Sequence, residues 1–435
     1  MIDKVRHVLS HELISGTFYV FLGSMFANVI AFLLNLFYVR SLSYADYGIF
    51  ASLLSIMTLA MIAGNSITTI IVKFSADFYA RNESDMLKSF YNKMIKYIFI
   101  FSLLVIVAFA VLSPVSSNFL HLNNYWYLIV AGLAVGIFYL QTLNMAFLQG
   151  MMRFGFMSLV NALSSIVKII TGIIFVYLGF RAFSGLWAIF FMGAGAFLIA
   201  FVPLKKVLSQ KSEKMTRVSL REILPYALPA FFAVFFMTSF TSTDVILVKH
   251  FFDPQKAAFY AGLSLVGKVI FYFTAPIPTV MFPLLIKRYT TGRNFLNLFY
   301  LSLFLVFIPS LAISIFYFIF PSFTVNLFLG GKEYYSISKY LGFFGLYLTV
   351  FSMVNVCVNF FLSLGKTKIV YPVFIAAFAQ VALITLFHRD FSQVIGISLS
   401  ISMILLLALF AIFVKVYGAR IRIKESNLPL NNEPI

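Results

Sequence analysis

The chain has 435 residues, of which 62% are apolar, 18% aromatic and only 11% charged, and its mean hydropathy is +0.98. Soluble domains carry about 25% charged residues, so 32 Lys+Arg and 14 Asp+Glu cannot coat a water-soluble protein of this length. A disordered chain and a disulfide scaffold are excluded too, since the single Cys357 can pair with nothing inside the chain. The composition is that of an integral membrane protein, and the net charge of +18 has to be read from where the charges lie.

A helix needs about 20 apolar residues to cross the roughly 30 Å hydrocarbon core, so uncharged runs can be read as spans in chain order. Leu13 to Val39 and Tyr47 to Val72 supply the first two. Tyr97 to Met152 is long enough for two more around the breaker SPVSSNFLHLNN. Phe154 to Phe180, interrupted only by Lys168, and Ala182 to Leu204 complete six. Six more are expected at about 224–248, 257–286, 296–320, 340–363, 369–387 and 391–414. The runs are continuous and too long for barrel strands. The expected fold is an all-α membrane protein of twelve transmembrane helices. The first run exceeds the 7–15 apolar residues of a signal peptide and reads as an uncleaved span.

Twelve spans put both termini on one side. The loops on that side hold 23 Lys and Arg and those opposite hold seven, which places both termini in the cytoplasm. Trp126 and Trp187 then fall at outer helix ends, as interface anchors do. The charge is therefore mostly topology, suited to anionic membrane lipids, and no nucleic-acid partner is needed.

The polar stretch 205–222 separates an N-terminal six-helix half, 1–204, from a C-terminal half, 223–417, followed by a tail over 418–435. Ser219 and Glu222 fit a capping box opening the seventh helix. A weak repeat supports the division. Arg40, Asp46 and Phe50-Ala51-x-Leu53 recur as Lys249, Asp253 and Tyr260-Ala261-x-Leu263, about 210 residues later. Halves that both start inside are related by a pseudo-two-fold axis along the membrane normal, with a cavity between them.

No enzyme constellation is present: no H-E-x-x-H, no G-x-S-x-G, no Cys/His cluster, hence no metal and no cofactor. Gly365-Lys366-Thr367 is similar to the end of a P-loop, but the Gly that motif needs five residues earlier is Phe360. Transport energy must then come from an ion gradient, H+ or Na+, or from consumption of the product.

Three ionisable residues lie inside spans: Lys168, Asp244 and Lys268. Each costs about 2.5–3.5 kcal/mol at the bilayer centre, so each should face a cavity or a partner. Lys268 and Lys168 are read as cavity cations for an anionic substrate such as a lipid pyrophosphate, against a structural pairing with Asp244 or snorkelling. Asp244 is either a coupling-ion carrier or a structural partner of Lys268 or Lys249. Arg40 and Lys249 are candidates for an outer gate or simple interface anchors. Span amides, among them Asn144, Asn355, Asn359 and Gln380, are expected to link helices.

Four stretches resemble the polysaccharide transporter branch of the multidrug/oligosaccharidyl-lipid/polysaccharide (MOP) exporters, the Wzx-type O-antigen flippases. They are NLFYVRSLSYADYGIFASLLS from Asn35, LQGMMRFGFMSLVNAL from Leu148, REILPYALPAFFAVFF with TDVILVKHFFDPQKAAFYAGLSLVGKVI, and VMFPLLIKRY with Pro283. The chain departs from the branch at Ala257-Ala258-Phe259, where many relatives have Val-Gly-Ile. The resemblance implies a MATE-like fold in the bacterial cytoplasmic membrane and a flippase for undecaprenyl-pyrophosphate-linked oligosaccharide working by alternating access. It also implies a polysaccharide polymerase and a chain-length regulator as partners. The rival readings are a cation-coupled drug antiporter of the same fold and a membrane glycan polymerase or ligase.

Overall fold

In hydrocarbon every backbone N–H and C=O must be satisfied within its own segment, so long apolar runs become helices. The computed structural model describes residues 12–119, 124–208, 220–329 and 332–426, and all regular structure among them is helical. In chain order these are α1 (Glu12–Ser41), α2 (Tyr44–Ala80), α3 (Ser84–Phe119), α4 (Trp126–Gly150), α5 (Phe154–Tyr177), α6 (Phe183–Leu208), α7 (Leu220–Phe240) and α8 (Thr243–Phe251). They continue as α9 (Pro254–Gly267), α10 (Val269–Thr274), α11 (Pro276–Thr290), α12 (Leu296–Ile319), α13 (Pro321–Leu329), α14 (Ser338–Ser363), α15 (Val370–Leu386) and α16 (Phe391–Ser426).

Eleven helical stretches among the described residues are long and apolar enough to cross a membrane. The expected second span lies on α2, a single helix of 37 residues, some of whose side chains fall outside the described set. Most of the stretch expected as a linker, with Ser219 of its capping box, and the last residues of the tail also lie outside the described residues.

Contacts gather the chain into two units, one of residues 1–235, 276–302 and 363–365, the other of 236–275, 303–362 and 366–435. In the first, α4 packs on α2, α3 and α6, α5 packs on α1 and α6, and α11 packs on α1 and α2. Small residues allow this closeness. A Cβ on Gly23 of α1 would sit 2.7 Å from the Ser158 Cα of α5, a separation only glycine tolerates. Asn144 ties three helices as expected, accepting from the Tyr91 hydroxyl at 2.8 Å and donating to the Phe197 carbonyl at 2.9 Å.

The expected breaker at 113–124 starts too early, because α3 runs on through Pro114 to Phe119. Proline cannot donate to the carbonyl four residues back. Here the Ser113 hydroxyl donates to that carbonyl, Ala110, at 2.7 Å, so the helix survives.

In the second unit α14 is the most enclosed span; in the stretch Tyr334–Ser363, 78% of the most apolar window is buried, against 17% for Ser84–Val115 of α3. The Thr349 hydroxyl of α14 donates to the Ser310 carbonyl of α12 at 3.1 Å and shares a 2.8 Å hydrogen bond with Ser314.

Candidate functional site

The expected seventh span is not one helix. It breaks at Thr241 and Ser242, so that α7 ends at Phe240 and α8 starts at Thr243. A break inside an apolar layer exposes carbonyls and N–H groups that need new partners. The Phe240 carbonyl accepts from the Tyr347 hydroxyl of α14 at 2.7 Å and from the Gln380 amide of α15 at 3.3 Å. Gln380 also donates to Ser398 of α16 at 3.0 Å. On the other side of the break Asp244, 1% exposed, occupies the first turn of α8. Its Oδ1 accepts from the Val245 N–H at 2.8 Å and its Oδ2 from the Tyr260 hydroxyl at 3.0 Å. A helix N-terminus favours negative charge, which is why a carboxylate can sit there at all.

The expected eighth span holds as one continuous apolar stretch, Phe259–Thr290: the Lys268 N–H donates to the Ser264 carbonyl at 2.9 Å, the Tyr272 N–H to the Lys268 carbonyl at 3.0 Å and the Ala275 N–H to the Phe271 carbonyl at 2.9 Å. Lys268 lies between α9 and α10, and Ala275 between α10 and α11. The Tyr317 hydroxyl of α12 donates at 2.8 Å to the Val266 carbonyl, close to Lys268. Tyr260, Ser264 and Lys268 fall at four-residue spacing, which places them along one face of α9. The Ser264 hydroxyl between them is buried and has no hydrogen-bond partner among the described residues. Lys268 is half-buried. It forms no hydrogen bond and no ion pair among the described residues, and the charge whose field it feels is that of Asp244.

The structure therefore brings Asp244 and Lys268 into one polar cluster of the second unit, without a direct bond between them. Among the described residues the carboxylate's bonded partners are a phenol and a backbone amide. Lys168 lies in mid-α5 of the first unit, half-buried, with no hydrogen bond or ion pair among the described residues. Arg40 and Lys249 lie on α1 and α8, but their side chains fall outside the described set.

Tyr347 and the Phe240 carbonyl are the members of the cluster that sequence reasoning misses. No local pattern marks a tyrosine as the donor that closes a helix break more than 100 positions away in sequence. Lys73 is a second surprise: expected on the cytoplasmic face, it is half-buried and donates to the Ser363 carbonyl. Nearby on the same helix, Asp77 pairs with Arg81 at 3.1 Å and accepts from the Thr290 hydroxyl at 2.7 Å.

Comparison with known proteins defines the class. The polysaccharide biosynthesis protein family model matches residues 13–289, and the chain belongs to that family. No curated protein matches the chain by sequence. By structure, the chain is similar to a mutant of the Vibrio cholerae MATE transporter VcmN, with TM-score 0.79, 12% identity, and 95% of this chain and 98% of the other covered. It is similar also to a MATE protein in the straight conformation (TM-score 0.78, 13% identity, 95% and 96% covered). A MOP superfamily transporter from Pyrococcus furiosus, described as having a binding pocket of reverse polarity that suggests a different function, matches with TM-score 0.76 at 14% identity, with 95% of each chain covered. The fold is thus MATE-like. The chain is therefore a multi-pass helical protein of MATE-like fold within the polysaccharide biosynthesis protein family.

Proposed function

We propose that the protein is a flippase that carries an oligosaccharide linked to undecaprenyl pyrophosphate from the inner to the outer leaflet of the bacterial cytoplasmic membrane, by alternating access. The observation that carries this reading is the pair of unsatisfied cations, Lys168 and Lys268, each half-buried in a span and bonded to nothing among the described residues. A cation at that depth costs about 2.5–3.5 kcal/mol unless something anionic meets it, and a diphosphate headgroup is such a ligand. The family match supports a glycan as the load. In this reading the lipid tail stays in the bilayer, Lys268 is the anchor for the diphosphate with Lys168 a second candidate cation, and both termini face the cytoplasm.

The drug-antiporter reading rests on the solved structures, whose low identity carries the fold alone. A cationic drug calls for carboxylates. Within the spans this chain offers one, Asp244, already engaged by Tyr260 and Val245, against two open lysines.

The test is a gene deletion with lipid-linked oligosaccharide measured in each leaflet. Complete single repeat units held on the inner leaflet are expected. Normal translocation with unpolymerised units outside overturns the reading in favour of a polymerase. In the same assay Lys268→Ala abolishes complementation and Lys268→Arg keeps part of it, whereas full activity of the Ala variant at normal expression rejects the anchor role.

A further inference from the structure

Three parts of the C-terminal half of the sequence are gathered with the N-terminal half in the first unit. They are residues 223–235 of α7, residues 276–302 with α11 and the start of α12, and the turn at 363–365. In the topology read from the basic residues, all three are cytoplasmic ends of their spans. The outer parts of the same spans belong to the other unit.

Most of the attachment is made by α11. Ten of its fifteen residues are buried, among them Val280, Met281, Leu284 and Leu285, and a Cβ on Gly16 of α1 would meet Val280 Cγ1 at 2.8 Å. Pro283, inside this helix, has no N–H to give the Thr279 carbonyl four residues back. The Gln149 side chain of α4 serves that carbonyl instead, donating through Nε2 at 2.9 Å. The turn at 363–365 is held in a similar way, by the Lys73 ammonium of α2 on the Ser363 carbonyl, at the end of α14, where the helix favours a cation. One turn beyond Lys73, Asp77 accepts from the Thr290 hydroxyl at the end of α11 at 2.7 Å. Lys73 and Gln149 stand on a close-packed helix pair, since a Cβ on the neighbouring Gly150 of α4 would lie 2.9 Å from the Ser75 Cβ of α2.

We propose that Gln149 and Lys73 are the bolts of a cytoplasmic gate, and that this structure is the gate's closed state. Both acceptors are carbonyls that their own helix does not use, one because of a proline and the other because the helix ends. Water can replace either donor when the gate opens, and no helix has to unwind. Opening then moves α11 and the 363–365 turn away from α2 and α4. A bond made only in the closed state stabilises that state alone, so its removal shifts the population toward the open one.

The inference rests on the alternating-access reading with cytoplasmic termini, but its test uses no glycolipid, so a failed flippase assay and a failed gate are separate results. Leu285→Cys, buried in α11, is placed in a full-length Cys357→Ala chain, and its alkylation by a membrane-impermeant maleimide is timed in inside-out and right-side-out membrane vesicles. Leu186→Cys, equally buried near the outer start of α6, is the control. Gln149→Ala is expected to speed labelling of Cys at 285 by about three- to tenfold, and Lys73→Met by about tenfold or more, in inside-out vesicles. Pro283→Ala keeps both bolts and strengthens the helix, so it serves if the other variants fail to fold. Its restored N–H supplies the Thr279 carbonyl in both states, so a smaller rise is expected, and adding Gln149→Ala to it should change little. Unchanged rates in all the variants overturn the gate. Equal acceleration of the control at 186 overturns it too, as general loosening, and acceleration confined to right-side-out vesicles overturns its cytoplasmic placement.

Discussion

The corner between α1 and α2 and the corner between α8 and α9 are built to one plan with different chemistry. Ser43 caps α2 with φ −62° and ψ 155°, and Asp253 caps α9 with φ −60° and ψ 156°. The Ser43 hydroxyl accepts from the Asp46 N–H at 3.1 Å, and the Asp253 carboxylate accepts from the Lys256 N–H at 2.9 Å. The two caps are 210 positions apart, as are the buried pairs Phe50 and Tyr260, and Leu53 and Leu263. The sequence repeat had set Asp46 against Asp253; the cap geometry sets Ser43 there instead. The chemistry parts company inside. Leu34, 1% exposed, stands 210 positions before Asp244, and Phe50, against the edge of Tyr38 at 5.3 Å, stands where Tyr260 donates to the carboxylate. Caps and buried apolar residues suffice for the turn, so a charged site can be set into one copy and left out of the other.

Exchanging residues between the corners tests this, starting with the largest effect. Leu34→Asp puts a carboxylate in mid-α1, where the helix has spent its N–H groups and no helix start favours the charge. A cost of about 3–5 kcal/mol is expected as a lowered melting temperature in detergent, and survival at wild-type stability denies that the break at α8 is what makes Asp244 tolerable. The converse, Asp244→Leu, leaves the Tyr260 hydroxyl and the Val245 N–H without an acceptor, at about 2–3 kcal/mol. Adding Tyr260→Phe removes one orphan, so the double variant should be more stable than the sum of the singles by roughly 1 kcal/mol. Strict additivity would mean that the hydrogen bond contributes nothing.

A smaller loss, about 1 kcal/mol, is expected for Tyr347→Phe, because Gln380 remains as a donor to the Phe240 carbonyl. The loss should grow when Gln380→Leu is added, measured by the same melting experiment. Smallest are the caps. Ser43→Ala and Asp253→Ala should each cost about 0.5–1 kcal/mol, and near-equal values are what a shared corner requires. A cap in one half that matters several times more than its counterpart breaks the equivalence.

The helices were legible because hydropathy is a local property: α4, α12 and α14 coincide closely with charge-free runs, and α5 with a run interrupted only by Lys168. Lys168, Asp244 and Lys268 were legible for the same reason, since a charge inside such a run stands out. The interruption at Thr241–Ser242 was hidden because the hydroxyl-rich stretch Thr238–Thr243 around it carries no charge, and uncharged hydroxyls do not end a charge-free run. The misplaced break at Pro114 has the matching cause, a hydroxyl that restores what the proline removes.

By itself the sequence determined that this chain lives in a membrane, where most of its spans run, and which charges they carry, since each follows from the transfer cost of single side chains. The tertiary structure alone decided that the Phe240 carbonyl meets Tyr347, 107 residues away, and Gln380, 140 away, and that Asp244 accepts from Tyr260. A broken helix leaves polar groups that must be satisfied inside the apolar layer, and only the packing of α9, α14 and α15 determines which side chains are within reach.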